Sequence, residues 1–333
     1  MGSRVTNSIG PDEPVIPQPW SAHPRRLIVV AGPTGTGKSE LGLDLAERFD
    51  GEIVNADSMQ LYRGMDIGTA KLPMAERRGI PHHLLDVLDV SEIATVASYQ
   101  RDARACIEDI LARGRTPVLV GGSGLYIQSV VDDIDFPATD PAVRARLQGD
   151  LDRLGIDYMF GLLDEQDPAA AVAIGPANGR KIVRALEVIA ITGRPFTATM
   201  PRRGVPRYGA VLLRLDRPTG QLDQRLEDRV RAMVAAGFLD EVRRLDHAGL
   251  RRGVTASRAL GYAQLLAVLD GESDLEQAVM ATAATTRRFV RRQRSWFRRD
   301  ERMIDLDATE PDLVGRALAA IAGAAVAFTP ISL

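Results

Sequence analysis

The stretch that decides the fold is Leu27-Ile28-Val29-Val30-Ala31-Gly32-Pro33-Thr34-Gly35-Thr36-Gly37-Lys38-Ser39. Its first five residues are continuously apolar, which is typical of a strand buried on both faces of a parallel sheet. The other eight match the pattern G-x-x-x-x-G-K-[ST], and a helical stretch follows from about Glu40. In this pattern the glycines let backbone N–H groups converge on phosphate oxygens, and the helix N-terminus favours negative charge. Lys38 would reach the terminal phosphates, and the Ser39 hydroxyl is a candidate Mg²⁺ ligand.

The sequence on either side extends this unit into an α/β core. Further apolar runs at residues 52–56, 117–121 and 210–215 predict strands, and residues 96–113 predict a helix. This alternation predicts a P-loop NTPase-like fold, with a parallel sheet flanked by helices. From Pro218 onward the sequence is predicted to be almost wholly helical, with helices at 218–236, 257–269 and 274–299.

The chain has 333 residues, more than one typical domain, and we predict four parts. The proline-rich residues 1–24 lack a signal-peptide core and predict a disordered leader. Residues 25–134 and 207–323 would form the catalytic core, interrupted by an all-helical insertion domain at 135–206. Residues 324–333 are predicted to be a C-terminal tail. The longest apolar run, Ala317 to Phe328, is shorter than the roughly 20 residues that span a bilayer and predicts a core helix.

Composition excludes several classes of protein. Hydrophobic residues make up 45% and charged residues 26% of the chain, as in ordinary folded proteins. One cysteine, Cys106, excludes a disulfide framework and a multi-cysteine metal site. It favours a reducing compartment, so we expect a cytoplasmic protein. We also expect a monomer, without membrane association because no apolar run is long enough to span a bilayer. The formal net charge of -2 means that polyanion binding must rest on a local patch.

Candidate catalytic groups follow two of the predicted strands. Asp57 comes just after the second strand, at the sheet edge where open α/β folds bind ligands. It either faces the phosphate loop or caps the following turn. The third strand ends in Gly121-Gly122-Ser123-Gly124, without the acidic residue that holds the metal in P-loop ATPases. This difference disfavours nucleotide hydrolysis and favours group transfer from a diphosphate.

Two other motifs allow a structural or a functional interpretation. Lysine is rare, three of 42 basic residues, which draws attention to Lys71. Together with Gly64, Gly68 and Thr69 it would form either a second phosphate-facing loop or a solvated loop. The adjacent pair His82-His83 lacks the i, i+4 spacing of helical metal sites, which favours a structural role.

A basic segment with aromatic residues spans positions 287–299 and contains seven arginines. Arg287, Arg291, Ser295 and Arg298 fall along one face of the predicted helix. Such a helix would either follow the phosphates of an RNA with aromatic support or cover the core as a charged amphipathic helix.

Taken in order over about residues 27–300, these motifs resemble the bacterial tRNA dimethylallyltransferases, also called tRNA isopentenyltransferases or the IPP transferase family. The resemblance rests on residues 32–39, 55–62, 64–71, 81–86, 120–126, 184–188, 261–262 and 292–297. It implies transfer of a dimethylallyl group from dimethylallyl diphosphate to N6 of the adenosine 3′ of the anticodon, with release of diphosphate. It also implies a P-loop core with a helical insertion that helps to hold the anticodon arm.

The resemblance further implies a role for each motif. Residues 32–39 would hold the donor diphosphate, with Lys38, Arg225, Arg229 and a Mg²⁺ ion neutralising its charge. Asp57 would be the general base, and Ser123, where many relatives have threonine, would hydrogen-bond the donor or the amine. The implied tRNA contacts are Asp57, Ser58, Met59, Gln60, Arg180, Lys181, Ile182, Val183, Arg184, Arg258, Gly261, Tyr262, Arg287 and Arg291.

From the residues alone, two alternatives stay open. One is a P-loop kinase that phosphorylates a small metabolite with Asp57 as its base. The other is an RNA-binding adaptor that retains an inactive phosphate loop. Some relatives add a Cys/His zinc module, which one cysteine cannot supply, so anticodon-arm binding is expected from the core and the insertion.

Overall fold

A parallel six-stranded sheet is the centre of the computed structural model, which describes residues 25–137, 139–199 and 203–327. The strand order is β3-β2-β4-β1-β5-β6, and every neighbouring pair is parallel. The strands are β1 Ile28–Ala31, β2 Gly51–Asn55, β3 His82–His83, β4 Thr116–Gly121, β5 Val211–Asp216 and β6 Ile304–Asp307. This arrangement confirms the predicted fold class.

Twelve helices lie in the described ranges. They are α1 Lys38–Arg48, α2 Val96–Ala112, α3 Gly124–Val131, α4 Pro141–Leu154, α5 Ile156–Gln166, α6 Pro168–Ile174, α7 Gly179–Thr192, α8 Thr219–Ala235, α9 Phe238–His247, α10 Tyr262–Leu269, α11 Leu275–Phe297 and α12 Leu313–Ala327. None of these helices is both long and apolar enough to cross a lipid bilayer.

Helices cover both faces of the sheet. Successive side chains of a strand point to opposite faces, so each strand contributes to a core on either side. Val29 of β1 packs into a core with α2 and α3, whereas Val30 packs into a second core with α1 and α12. All residues of β1, β2 and β4 are buried, which explains why apolar residues are continuous in β1 and in the middle of β2 and β4 rather than alternating with polar ones. The carboxyl ends of these central strands therefore meet at one edge of a rigid sheet.

The four helices between residues 141 and 192 have a core of their own. Met159, Leu163 and Leu186 are among its buried residues. Beside this core, the fully buried carboxylate of Glu187 accepts hydrogen bonds from the guanidinium groups of Arg144 and Arg184. A helical subdomain thus interrupts the sheet between β4 and β5.

The structure differs from the sequence-based expectations in several places. β6 lies within the part predicted to be wholly helical, and β3 is formed by the histidine pair. The predicted helix at 257–269 begins only at Tyr262, because a short 3₁₀ turn and Gly261 with φ of 84° precede it. α12 runs through Ala327, into the predicted tail. The predicted leader and residues 328–333 of the tail lie outside the described residues.

Candidate active site

The phosphate loop joins β1 to α1, and its backbone requires glycine at two positions. A Cβ on Gly32, whose φ is 147°, would lie 2.1 Å from the carbonyl oxygen of Leu215 in the neighbouring strand. Gly37 adopts the left-handed conformation at the start of α1, with φ of 101°. The Thr36 hydroxyl closes the loop from within by donating to the carbonyl oxygen of Pro33 over 2.9 Å. The loop is thus bent so that α1 begins directly at Lys38.

Lys38 turns back onto this loop, where its Nζ donates to the Pro33 carbonyl oxygen over 2.6 Å. Burial lowers the pKa of Lys38 from 10.5 to about 8. The nearby cation of Arg229 adds to the lowering of this pKa, and the carboxylate of Asp57 opposes it. The loop therefore holds a buried cation whose charge a bound anion would stabilise.

Asp57 is fixed just beyond β2 by its neighbours. The Asn55 side chain accepts from the Asp57 N–H over 2.9 Å and donates to the Asp57 carbonyl over 3.0 Å. Asp57 Oδ1 accepts from the Met59 N–H over 2.9 Å, and the carboxylate also faces the site cavities described below. The two interpretations of Asp57, a cap and a group that faces the phosphate loop, are therefore compatible.

Ser123, which follows β4, lies next to Asp57. Its Oγ accepts a hydrogen bond from the Ser58 N–H over 3.2 Å, and its own N–H donates to the Ala56 carbonyl. The ends of β2 and β4 are thus joined at the point where the reacting groups are expected.

Two arginines of α8 lie against the phosphate loop. Arg229 donates to Thr34 Oγ1 over 3.1 Å, and burial lowers its pKa. The more exposed Arg225 donates from Nε to the Gly35 carbonyl oxygen over 3.3 Å. Both arginines that the resemblance implied therefore lie where a bound diphosphate would need positive charge.

Two cavities meet at this point. The phosphate-loop cavity, of about 590 Å³, is bordered by Lys38, Ser39, Gln60 and Arg225 among others. The apolar cavity, of about 280 Å³, is bordered by Met59, Met233, Phe238, Phe289 and others, with Arg258 and Arg292 also on its border. Both cavities are bordered by Thr34, Asp57, Thr69 and Arg229. A carboxylate and a cation therefore lie at the junction of a polar and an apolar compartment.

The loop that contains Thr69 is held by a residue that the sequence analysis missed. The buried carboxylate of Glu241 accepts from the N–H groups of residues 66, 67 and 68 over 2.7–3.1 Å, and from the Tyr262 hydroxyl over 2.6 Å. These contacts bring Thr69 to the cavities. Only the helical pattern of α9, which leaves an acidic residue on its buried face, signals this role in the sequence.

Lys71 itself does not border the phosphate-loop cavity, although Thr69 of the same loop does. Its buried ammonium group donates to Asp66 over 2.7 Å, to Asp86 over 2.6 Å and to the Tyr62 carbonyl over 2.9 Å. The rare lysine is a structural cross-link of the loop, because two carboxylates already neutralise its charge.

The histidine pair also has structural contacts. His83 Nε2 lies 2.6 Å from Glu52 Oε2, and the Arg113 and Arg115 guanidinium groups bind the same carboxylate. The Arg113 hydrogen bond lowers the pKa of Glu52 to about 2. Within the described ranges, no group of three or more His, Cys, Asp or Glu is arranged to hold a metal ion.

The residues implied to contact tRNA divide into exposed and buried ones. At the start of α7, Arg180 and Lys181 are exposed, whereas Ile182 and Val183 lie in the core of the helical subdomain. Arg184 is paired with Glu187 and with the Pro137 carbonyl. RNA contacts by side chains in this segment would therefore have to come mainly from its first two residues.

The implied contacts near the apolar cavity divide in the same way. Arg258 is exposed at its border. Gly261 and Tyr262 are buried, and a Cβ on Gly261 would lie 2.6 Å from Phe238. Tyr262 therefore borders the cavity with its hydroxyl occupied by Glu241, and Gly261 lies against Phe238, which also borders the cavity.

α11 covers the core with one side and exposes arginines on the other. Val290, Gln293 and Phe297 are buried on one side. Its other side and the residues just beyond it expose Arg288, Arg291, Arg292, Arg298 and Arg299. The Arg292 guanidinium lies 5.7 Å from the ring centroid of Phe289. Arg287 lies 3.8 Å from Glu227. The helix thus covers the core and presents Arg292 at the border of the apolar cavity.

Comparison with known proteins shows which proteins this chain resembles in sequence. The IPP transferase family model matches residues 60–300. A protein of Nocardia farcinica named tRNA dimethylallyltransferase is 60% identical over 300 residues, which are 90% of this chain and 96% of that protein. A protein of the same name from Saccharopolyspora erythraea is 61% identical over 290 residues, 87% of this chain and 94% of its own length.

Solved structures agree with the sequence comparison. The full-length tRNA isopentenylpyrophosphate transferase of Bacillus halodurans matches with a TM-score of 0.68 and 36% identity, over 91% of this chain and 97% of that one. A eukaryotic dimethylallyltransferase, crystallised in snapshots of its action on tRNA, matches with a TM-score of 0.79 and 28% identity, over 93% and 81%. The resemblance inferred from the motifs is confirmed: the chain belongs to the IPP transferase family.

Proposed function

We propose that this chain transfers a dimethylallyl group from dimethylallyl diphosphate to N6 of the adenosine immediately 3′ of the anticodon, and releases diphosphate. The observation that carries the proposal is the position of Asp57 and Arg229, which border both the phosphate-loop cavity and the apolar cavity. Transfer from a diphosphate to an aromatic amine is assisted by a cation that stabilises the leaving group and by a base that accepts the amine proton.

The donor would bind with its diphosphate in the phosphate-loop cavity. Backbone N–H groups at the start of α1, Lys38, Arg225 and Arg229 would stabilise the negative charge that grows on the diphosphate as the allylic C–O bond breaks. These groups are fixed before the reaction, so little reorganisation opposes the transition state. The dimethylallyl carbons would extend toward the apolar cavity, which is lined by Met59, Phe238 and Phe289 among others.

The donor set of the site fits Mg²⁺ in its usual form. Mg²⁺ retains several waters and binds substrate phosphates with one or two protein ligands, so it does not need a cluster of carboxylates. Ser39, in the first turn of α1, borders the phosphate-loop cavity and would supply one oxygen. Mg²⁺ when bound would add positive charge against the departing diphosphate.

The adenine would enter the apolar cavity from the opposite side. A loop base is already unpaired, so moving it into a pocket costs less than extruding it from a duplex. The N6 electron pair would form the new bond to the donor carbon as the C–O electron pair leaves with the diphosphate. Asp57 would accept the N6 proton, which compensates for the weak nucleophilicity of an aromatic amine.

The tRNA would lie along exposed basic groups near this cavity. Arg258 and the exposed arginines of α11 would contact phosphates of the anticodon arm, and Arg180 and Lys181 of the helical subdomain would contact it further away. Lys38, Asp57, Ser123 and Arg229 all come from one chain, so a monomer would be sufficient to form the site. A tRNA substrate and a single cysteine support action in the cytoplasm.

Incubation with labelled dimethylallyl diphosphate and unmodified tRNA tests the proposal. We expect label on the adenosine 3′ of the anticodon, and no label when that adenosine is replaced by guanosine. Isopentenyl diphosphate is the matched donor control, because its C–O bond is not allylic and its cleavage is not assisted. Phosphorylation of a small metabolite by ATP would instead support the kinase alternative, and tRNA binding without turnover would support the adaptor.

A further inference from the structure

Gln293 of α11 has a role that its sequence position does not reveal. Its side chain is 6% exposed, and both ends of the carboxamide are used. Oε1 accepts from the Thr34 N–H over 3.1 Å, and Nε2 donates to the Gly122 carbonyl oxygen over 2.9 Å. One side chain therefore joins the phosphate loop to the loop after β4.

Each residue bound by Gln293 is connected in turn to a charged residue at the junction of the two cavities. On one side, the hydroxyl of Thr34 accepts from Arg229 over 3.1 Å. On the other side, Gly122 precedes Ser123, whose Oγ accepts from the N–H of Ser58, the residue after Asp57. The carboxamide thus lies between the cation expected on the diphosphate and the carboxylate expected at the amine.

The fit around Gln293 is close on the side of the β4 loop. A Cβ on Gly122 would lie 2.4 Å from Gln293 Nε2, so the bridge requires glycine at that position. Gln293 also shares α11 with the exposed Arg292, which borders the apolar cavity, and with the exposed Arg288 and Arg291. A helix that would contact tRNA is therefore tied directly to the loop that would hold the donor.

We propose that Gln293 is a positioning residue, which fixes the separation of Arg229 and Asp57 by bridging Thr34 and Gly122. The proposal deepens the proposed function and rests on it. Gln293 itself borders neither cavity. Its effect on catalysis would therefore pass through the residues that it holds, because small errors in the geometry of reacting groups are costly in rate.

Three variants test this role. Gln293→Leu removes both hydrogen bonds, and Gly122→Ala displaces the amide without changing Gln293. Each should lower kcat at least 10-fold and change the Kd for tRNA less than 3-fold. Val279→Ala is the matched control, since Val279 is buried on the same helix and borders neither cavity. It should lower the melting temperature with kcat within 2-fold of the wild-type value.

The pH dependence of the Gln293→Glu rate distinguishes loss of this bridge from a general loss of stability. A carboxylate accepts from the Thr34 N–H but cannot donate to the Gly122 carbonyl, whereas a protonated carboxyl does both. The ratio of the Gln293→Glu rate to the wild-type rate should therefore rise as pH falls from 8 to 5.5. The same ratio for Gln293→Leu should stay constant. A constant ratio for Gln293→Glu, or a kcat of Gln293→Leu within 2-fold of wild type, would overturn the proposal.

Binding of inorganic pyrophosphate with Mg²⁺, measured by calorimetry, separates this inference from the proposed reaction. It requires only the phosphate loop and neither tRNA nor a prenyl group. Gln293→Leu should weaken this binding at least 5-fold and Val279→Ala should not. If the wild-type protein does not prenylate tRNA but this difference persists, the proposed function fails while the link between Gln293 and the phosphate loop stands. Equal binding by the two variants would contradict that link.

Discussion

Lys38 Nζ donates a hydrogen bond to the Pro33 carbonyl oxygen over 2.6 Å, so the lysine of the phosphate loop is bound by its own loop. This contact partly satisfies the ammonium group but does not neutralise it. Burial consequently lowers its pKa to about 8. A diphosphate would provide the missing negative charge, and its binding is therefore coupled to the protonation of Lys38.

Binding of dimethylallyl diphosphate without tRNA should take up a proton above pH 8. Without ligand, Lys38 is mainly neutral at pH 9, and the anion stabilises the charged form, so affinity should fall as pH rises above about 8. Calorimetry in two buffers of different ionisation enthalpy measures the uptake. Lys38→Arg, which stays charged throughout this range, should remove most of it. Equal proton uptake by the variant and the wild-type protein would exclude Lys38 as the source.

The lowered pKa of Lys38 also predicts how the stability of the fold changes with pH. The folded-state pKa of Lys38 lies below its ordinary value of 10.5, so the charged form costs free energy of folding at pH values below about 8. This cost should decrease as pH rises from about 8 to 10.5. The melting temperature of Lys38→Met relative to wild type, measured at pH 7 and at pH 10, should show a larger gain at pH 7. A larger gain at pH 10 would contradict the direction of the shift.

Asp57→Asn should lower the single-turnover rate by about 10²- to 10⁴-fold, the usual contribution of a general base. The asparagine Oδ1 still accepts from the Met59 N–H, so the turn and the affinity for tRNA should be retained within a few-fold. Rapid quenching with saturating tRNA measures the rate. Asp102→Asn is the control, because Asp102 is an exposed carboxylate of α2 that borders neither cavity. Near-normal turnover of Asp57→Asn would remove Asp57 as the base.

The core of the fold and the phosphate loop follow from local sequence. β1 is a continuous apolar run, β2 and β4 have apolar centres at residues 53–54 and 118–120, and the loop has a fixed pattern of glycine, lysine and serine. β3 has two residues and β6 only one fully buried residue, so neither carries a detectable apolar pattern. The hydrogen bonds of these edge strands to the sheet determine their structure.

The contacts that complete the site depend on residues far apart in the chain. Gln293 contacts Thr34 across 259 positions, and Glu241 contacts the loop at 66–68 across more than 170. No local pattern identifies such partners. Lys71 shows that rarity alone is a weak signal: its rarity suggested phosphate binding, whereas its ammonium group lies between the carboxylates of Asp66 and Asp86.

Glu241→Gln should lower the free energy of unfolding by about 1–3 kcal/mol, since the amide NH₂ cannot accept from the donors that now face a carboxylate oxygen. Urea denaturation measures the difference. Glu227→Gln is the control: it is a solvent-accessible carboxylate 3.7 Å from Arg231, and its loss should change stability by less than about 0.5 kcal/mol. Equal stability of Glu241→Gln and wild type would show that the loop at 66–68 does not depend on this carboxylate.

The affinity for tRNA should fall steeply with salt, because arginine–phosphate contacts release counterions. Arg291→Ala, on the exposed side of α11, should reduce the slope of log K against log[salt] by about 0.7–0.9. Arg251→Ala should leave the slope unchanged, because this guanidinium is already paired with Asp246 and Asp270 over 2.8 Å. Filter binding at four salt concentrations distinguishes the variants. A reduced slope for Arg251→Ala but not for Arg291→Ala would move the RNA surface away from α11, whereas a flat salt response of the wild-type protein would contradict an arginine-based surface altogether.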